Sequence, residues 1–188
     1  MKKITIQKIQ EFKYSQETFA TLTAYDFNTG QILDDAGIPL ILVGDSASMT
    51  IYGYDTTIPI SMSEMLLVVK SVCRGVSNAL VVADMPFLSY QPSIEETIKN
   101  AGLLIKEGGA GAVKLEGGVH IQKNIKALVD SGIPVLGHIG LMPQSVNQTS
   151  GYKIQGKTDE SAEKIIEDAS AVEKSGAFGV VLECVPED

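Results

Sequence analysis

As a string of apolar and polar positions, the chain alternates between two periods. Short runs rich in Val, Ile and Leu, bounded by Gly, Pro, Asp or Ser, are separated by longer stretches whose apolar residues recur at helical spacing. Six of the short runs read as strands: FATLTAYD (19–26), PLILVGDS (39–46), ALVVADMP (79–86), AVKLEGG (112–118), PVLGHIG (134–140) and GVVLECV (179–185). Being largely continuous rather than alternating, they suit a parallel sheet covered on both faces. The stretches between them carry helix-end signals. Ser61 to Glu64 and Ser93 to Glu96 fit an S-x-x-E capping box, and Thr158 followed by Asp159 and Glu160 suits a third N-terminus. Gly37, Gly75, Gly108, Gly132 and Gly176 each follow a helical stretch, where a left-handed closing residue is expected.

The pattern also repeats. GAGAVKLE (109–116) and GAFGVVLE (176–183) share G-A-x-x-V-x-L-E, and ILVGD (41–45) echoes LVVAD (80–84). A run of βα units without an antiparallel signal leaves an open doubly wound sheet or a (β/α)8 barrel. The strand ends decide between them: Asp45, Asp84, Glu116, His138 and Glu183 close five consecutive strands, and polar groups from every strand meeting at one rim mark a barrel. The expected fold is therefore α/β, a (β/α)8 TIM barrel of which about six units are present. It forms one incomplete domain over 1–188, with a segment 1–18 ahead of strands lying within 19–185. Six strands leave two unpaired edges. Residues 1–188 are thus expected to belong to a chain of about 250 residues, and by themselves to be aggregation-prone and inactive.

Composition narrows the partners. The 188 residues are 44% hydrophobic and 20% charged, enough for one domain with a real core, and the net charge of −8 with no basic block speaks against a nucleic-acid surface. No apolar run approaches the roughly 18 residues that span a bilayer, and MKKITIQKIQEFKYSQ lacks a signal-peptide core, so a cytoplasmic protein with no membrane contact is expected. Cys73 and Cys184 show no CxxC pairing and no nearby His at ligand spacing; both are expected to be buried, reduced thiols.

The chemistry begins at AVKLEGG. Lys114 and Glu116 are two residues apart on a strand that should be apolar on both faces, so they point to one side, just where Gly117 and Gly118 end the strand. Asp45, Asp84 and Glu116 lie on adjacent strands, and three anions that close repel one another unless a hard divalent cation joins them. All-oxygen ligands without Cys point to Mg2+. The competing reading has each Asp merely capping the next helix. Lys114 either reaches the carboxylate of a small bound acid or pairs with a neighbouring acid, and His138 is either a structural donor or a catalytic group. Glu183, across the rim, is not needed by the cation. A 2-oxo acid chelated to Mg2+ becomes acidic at the carbon beside its ketone, and Glu183 is the candidate base.

The stretches VGDSASMTIYGYDTTIPISM (43–62), ADMPF (83–87), VKLEGG (113–118), GHIGLMPQSVN (137–147), GYKIQGK (151–157) and VLECVP (181–186) closely resemble the ketopantoate hydroxymethyltransferase family, in order and nearly continuously from Phe19 to Pro186. The resemblance implies a one-carbon transferase of pantothenate and coenzyme A biosynthesis. In it, 3-methyl-2-oxobutanoate accepts a hydroxymethyl group from 5,10-methylenetetrahydrofolate, giving 2-dehydropantoate through an Mg-stabilised enolate. Carried over by motif, Asp45 and Asp84 bind one Mg2+ per subunit and the oxo acid, and Glu116 completes the metal site. Ser46 and Lys114 hold the substrate carboxylate region, His138 joins the substrate site, and Glu183 removes the C3 proton. A homo-oligomer, a decamer, is implied as well. The family usually has Leu-Gly after GDS where this chain has Ala47-Ser48. The alternatives are an Mg-dependent lyase or mutase of the isocitrate lyase and phosphoenolpyruvate mutase group, against which GYKIQGK and GHIGLMPQS argue, and an inactive barrel fragment.

Overall fold

A computed structural model describes residues 3–149 and 151–187. The chain opens with α1 (Ile6–Ser15) and continues as β1 (Thr21–Thr23), α2 (Phe27–Asp35), β2 (Leu40–Val43), α3 (Ala47–Thr50), α4 (Met62–Gly75) and β3 (Leu80–Asp84). It ends with α5 (Ile94–Lys106), β4 (Ala112–Glu116), α6 (Gln122–Asp130), β5 (Val135–Gly140), α7 (Val146–Thr149), α8 (Asp159–Lys174) and β6 (Gly179–Glu183). All six expected strands form, each shorter than its apolar run because the flanking residues turn into the loops. They pair in parallel in the order β1-β2-β3-β4-β5-β6, so each strand lies beside its sequence neighbours. This is the strand order of a (β/α)8 barrel carried through six consecutive units, and among the described residues β1 and β6 are each paired on one side only.

Strand alternation sorts the core into two layers. Ile41, Val43, Val81, Ala83, Val113, Leu115, Val135 and Ile139 pack outward beneath the helices, with Met65, Val69, Val72, Leu104, Ile125 and Leu128 against them. The opposite face carries Leu40, Leu80, Val82, Ala112 and Leu136, covered by Ile4, Ile6 and Ile9 from the N-terminal segment. Lys114, Glu116 and His138 continue this same inward face toward the strands' C-terminal ends. The fold therefore fills one end of the barrel interior with hydrocarbon and leaves the other end polar.

The capping signals hold where a side chain can reach. Ser61 with Glu64 makes a reciprocal capping box, Ser93 accepts from the Glu96 N–H, and Thr158 pairs reciprocally with Ser161. Gly37, Gly132 and Gly176 take positive φ as expected, but Gly75 and Gly108 do not. Gly75 is the last residue of α4, and a Cβ there would sit 2.3 Å from the Phe27 carbonyl oxygen, so its role is close approach of α4 to α2. After α5 the left-handed residue is Gly109, at φ 86°. The helix α1 carries no sequence signal strong enough to predict it: Thr5 caps it by accepting from the Lys8 N–H, but its Ile residues are isolated among Lys and Gln. The cysteines correct an expectation. Both are free thiols, yet only Cys73 is partly buried, its pKa pushed to about 11 by that burial, whereas Cys184 is exposed. No helix among the described residues is long and apolar enough to cross a membrane.

Candidate active site

Each expected rim residue sits at or next to the end of its strand. Asp84, Glu116 and Glu183 are the last residues of β3, β4 and β6, His138 lies within β5, and Asp45 follows β2 after Gly44. The register sets their neighbours, because Asp84 stands beside Lys114 and Glu116 beside His138. Gly117 then leaves the strand at φ 129°, a conformation only glycine takes readily, and turns the chain away immediately behind Glu116.

Asp45, Asp84, Lys114, Glu116 and His138 are all 3–4% exposed. Lys114 Nζ lies 3.1 Å from Asp84 Oδ1 and 3.1 Å from His138 Nδ1. The Asp45 backbone N–H donates to Asp84 Oδ2 at 3.1 Å, which ties the end of β2 to the end of β3. A lysine ammonium only donates, so His138 Nδ1 is the acceptor and the ring proton sits on Nε2. That nitrogen faces Glu183 Oε2 at 3.1 Å, close but off the hydrogen-bond direction. His138 Nδ1 is also 3.6 Å from Glu116 Oε1. Burial, with the Lys114 charge adding to it, lowers the His138 pKa despite the contact with Glu183, so the imidazole is neutral near pH 7. Glu183 itself is 38% exposed, the one acid of the group with an open face.

Two of the acids resist ionisation. Burial, reinforced by the Asp84 charge, raises Asp45 to about 7 even though Lys114 and the Gln144 hydrogen bond work the other way. Burial also raises Glu116, to about 8, Lys114 opposing and Asp45 assisting. Burial would depress Lys114, but Asp84, Glu116 and Asp45 outweigh it and raise its pKa.

Three residues outside the sequence expectation join the group. Gln144, in the turn after β5, donates its backbone N–H to Glu116 Oε2 at 3.0 Å, and its side-chain Nε2 donates to Asp45 Oδ2 at 2.8 Å and to the Met85 carbonyl at 2.9 Å. Tyr90, 1% exposed, donates its hydroxyl to Gln144 Oε1 at 2.8 Å. Tyr25 OH and Ser46 Oγ are 2.7 Å apart. Gln144 lies within GHIGLMPQSVN, but nothing in its spacing tells which acids it would meet; Tyr90 sits in a loop with no periodic signal, and Tyr25 belongs to the FATLTAYD run but lies just past the end of β1. The Ala47-Ser48 pair opens α3, where Ala47 is buried and the Ser48 hydroxyl donates to the Thr56 carbonyl at 2.7 Å, closing the loop that follows.

Among the described residues no three His, Cys, Asp or Glu side chains converge as a ready set of metal ligands. The three acids expected to share a cation are linked through nitrogen instead, Asp84 to Lys114 and Asp45 to Glu116 by way of Gln144. Their chemistry nevertheless suits a hard divalent cation. Three buried carboxylates face one ammonium, and two of them are held well above the usual carboxylate range, the condition a cation relieves. A groove of about 700 Å3 runs elsewhere, between α1, α8 and β6, and none of these acids lines it.

The profile of the ketopantoate hydroxymethyltransferase family matches residues 3–188. The chain is 57% identical over 182 residues to a 3-methyl-2-oxobutanoate hydroxymethyltransferase of Dehalococcoides mccartyi (strain CBDB1), covering 97% of this chain and 65% of that protein. It is 55% identical to that of Clostridium botulinum (strain Alaska E43 / Type E3), covering 98% and 67%, and 51% identical to that of Syntrophus aciditrophicus (strain SB), covering 98% and 68%. The chain thus spans about two thirds of the length of these relatives. Among solved structures it is similar to phosphonopyruvate hydrolase in complex with oxalate and Mg++, with a TM-score of 0.72 at 16% identity over 97% of this chain and 63% of that one. It is also similar to 2,3-dimethylmalate lyase, a PEP mutase/isocitrate lyase superfamily member, with a TM-score of 0.65 at 16% identity over 95% and 63%. At such identities the structural likeness is one of fold.

Proposed function

The chain belongs to the ketopantoate hydroxymethyltransferase family, and from that membership we propose that its rim site serves the transfer of a hydroxymethyl group from 5,10-methylenetetrahydrofolate to 3-methyl-2-oxobutanoate, giving 2-dehydropantoate and tetrahydrofolate. The observation that carries the reading is one constellation: buried Asp45, Asp84 and Glu116 around Lys114, with a partly exposed Glu183 across from them. A site for a small oxo acid needs positive charge held deep and a base with an open face, and this group has both.

In this reading Asp45, Asp84 and Glu116 hold Mg2+. When bound, the cation supplies positive charge against the negative charge that develops on the keto oxygen during the reaction. Lys114 and the Ser46 hydroxyl, the latter paired with Tyr25, hold the substrate's carboxylate region. Glu183 takes the proton from C3. The electron pair left at that carbon forms the new C–C bond to the folate-borne one-carbon unit, whose two C–N bonds break; water supplies the hydroxyl, and its other proton and the one taken by Glu183 go to the two nitrogens of the departing tetrahydrofolate. Neutral His138, whose Nδ1 accepts from Lys114, turns its Nε2 side toward Glu183, 3.1 Å from the carboxylate that acts on C3. A cytoplasmic homo-oligomer is part of the same proposal.

The test reads the proton step apart from the transfer. With these residues carried in a chain of the relatives' full length, the protein is incubated with 3-methyl-2-oxobutanoate and Mg2+ in D2O and the C3 hydrogen is followed by NMR; 5,10-methylenetetrahydrofolate is then added and 2-dehydropantoate measured. Exchange followed by product is expected. Absence of both exchange and product would overturn the proposal.

A further inference from the structure

Gln144 is the residue through which two of the acids reach one another. Its backbone N–H serves Glu116 Oε2 and its side-chain amide serves Asp45 Oδ2, so one residue fixes the ends of β2 and β4 relative to each other. The orientation of that amide is itself determined. Nε2 sits between Asp45 Oδ2 and the Met85 carbonyl, whereas Oε1 meets the Tyr90 hydroxyl at 2.8 Å and the Gln91 amide at 3.4 Å. Turned over, the amide would set oxygen against a carboxylate and a carbonyl. Tyr90 is held in turn: its carbonyl accepts from the Thr97 hydroxyl and the Asn124 amide, both at 2.8 Å, which anchors it to α5 and α6. Its single hydroxyl proton serves Gln144 at 2.8 Å in preference to the Glu116 carbonyl at 3.1 Å.

We infer that Gln144, with Tyr90 setting its amide, is a positioning residue that holds Asp45 and Glu116 at the separation a divalent cation needs. This rests on the reading of those acids as cation ligands. Gln144 engages one oxygen of each carboxylate, Oδ2 of Asp45 and Oε2 of Glu116, and leaves Oδ1 and Oε1 outside its own hydrogen bonds. A carboxylate fixed by one oxygen and ligating with the other is the common arrangement around bound metals, and losing the fixing partner typically lowers affinity by about 10–100-fold. The nitrogen of Gln144 therefore supports the site rather than competing for it.

The experiment is a Mn2+ titration of the protein without substrates, followed by electron paramagnetic resonance, for the wild type, Gln144→Met, Tyr90→Phe, the double variant and Asp84→Ala, with thermal melting alongside. Gln144→Met is expected to weaken Mn2+ about 10–100-fold. Tyr90→Phe should weaken it less, and the double variant should bind no worse than Gln144→Met, since Tyr90 acts through Gln144. Tyr90→Phe removes a single oxygen and keeps the test informative if Gln144→Met melts early. Mn2+ binding that is lost in Asp84→Ala but indifferent to Gln144→Met and Tyr90→Phe overturns this inference alone. No Mn2+ binding by the wild type removes the cation reading and this inference with it.

Discussion

A buried ammonium is tolerated at Lys114 because three carboxylates face it, and the same arrangement leaves those acids in excess. Glu183 stands apart, at the end of β6, partly exposed and, among the rim groups, nearest the neutral His138. An acid with that environment can exchange a proton with a substrate without disturbing the buried cluster. Glu183→Gln keeps the shape and removes the proton acceptor. It is expected to slow C3 hydrogen exchange in D2O by about 10²–10⁴-fold and to leave Mn2+ affinity unchanged, as NMR and titration would read. Wild-type exchange in this variant would assign the base elsewhere. The pairing of Lys114 with Glu116 on one face was legible from their spacing on a strand, as was the convergence of acids at strand ends. The partners were not: whether Lys114 meets Asp84 depends on strand register, which no local pattern encodes.

At the scale of elements, one buried acid joins a helix to the strand after next. Asp34, near the end of α2, accepts from the backbone N–H groups of Ser77, Asn78 and Ala79 at 2.9, 3.1 and 2.7 Å, and from the Asn78 amide at 3.0 Å. Burial works to raise its pKa, but the donors from Ala79, Ser77 and Asn78 outweigh it, so the carboxylate ionises below its ordinary value of 3.8. A group whose folded pKa is depressed stabilises fully above the unfolded value and loses that stabilisation as pH falls through the folded one. Asp34→Asn should therefore cost about 1.5–3 kcal/mol at pH 7. The deficit should shrink once the pH drops below about 4. Denaturant unfolding of both proteins at neutral and acid pH checks this, and an equal deficit at every pH would contradict it.

At the scale of the six-stranded sheet, two edges are unpaired among the described residues. Among the described residues β1 and β6 each pair on one side only, and Leu22, Val180 and Leu182 on these strands are exposed. Open strand edges with apolar side chains are templates for pairing with another chain. The 188-residue chain is expected to associate with concentration, read by light scattering, without stopping at one size. Val180→Lys with Leu182→Lys should suppress that growth, because charge on an edge strand disfavours further pairing. A monodisperse species of fixed size, indifferent to both substitutions, would show that the edges are covered some other way.

Sequence alone determined the six strands, the parallel βα order and the identity of the strand-end acids, because each is written in local periodicity or in the residue that closes an apolar run. It also carried the family, through motifs that run nearly the length of the chain. Tertiary structure decided the rest. Gly75 proved to be a contact between α2 and α4 rather than a left-handed cap, because what matters there is a carbonyl from a distant helix. Cys184 proved exposed because it follows the edge strand β6. Gln144 and Tyr90 became part of the rim only when β2, β4 and the turn after β5 were brought together. Hydrogen-bond partners separated by 28, 54 and 99 positions in the chain are set by the packing of strands and helices, and no short window of sequence contains both ends.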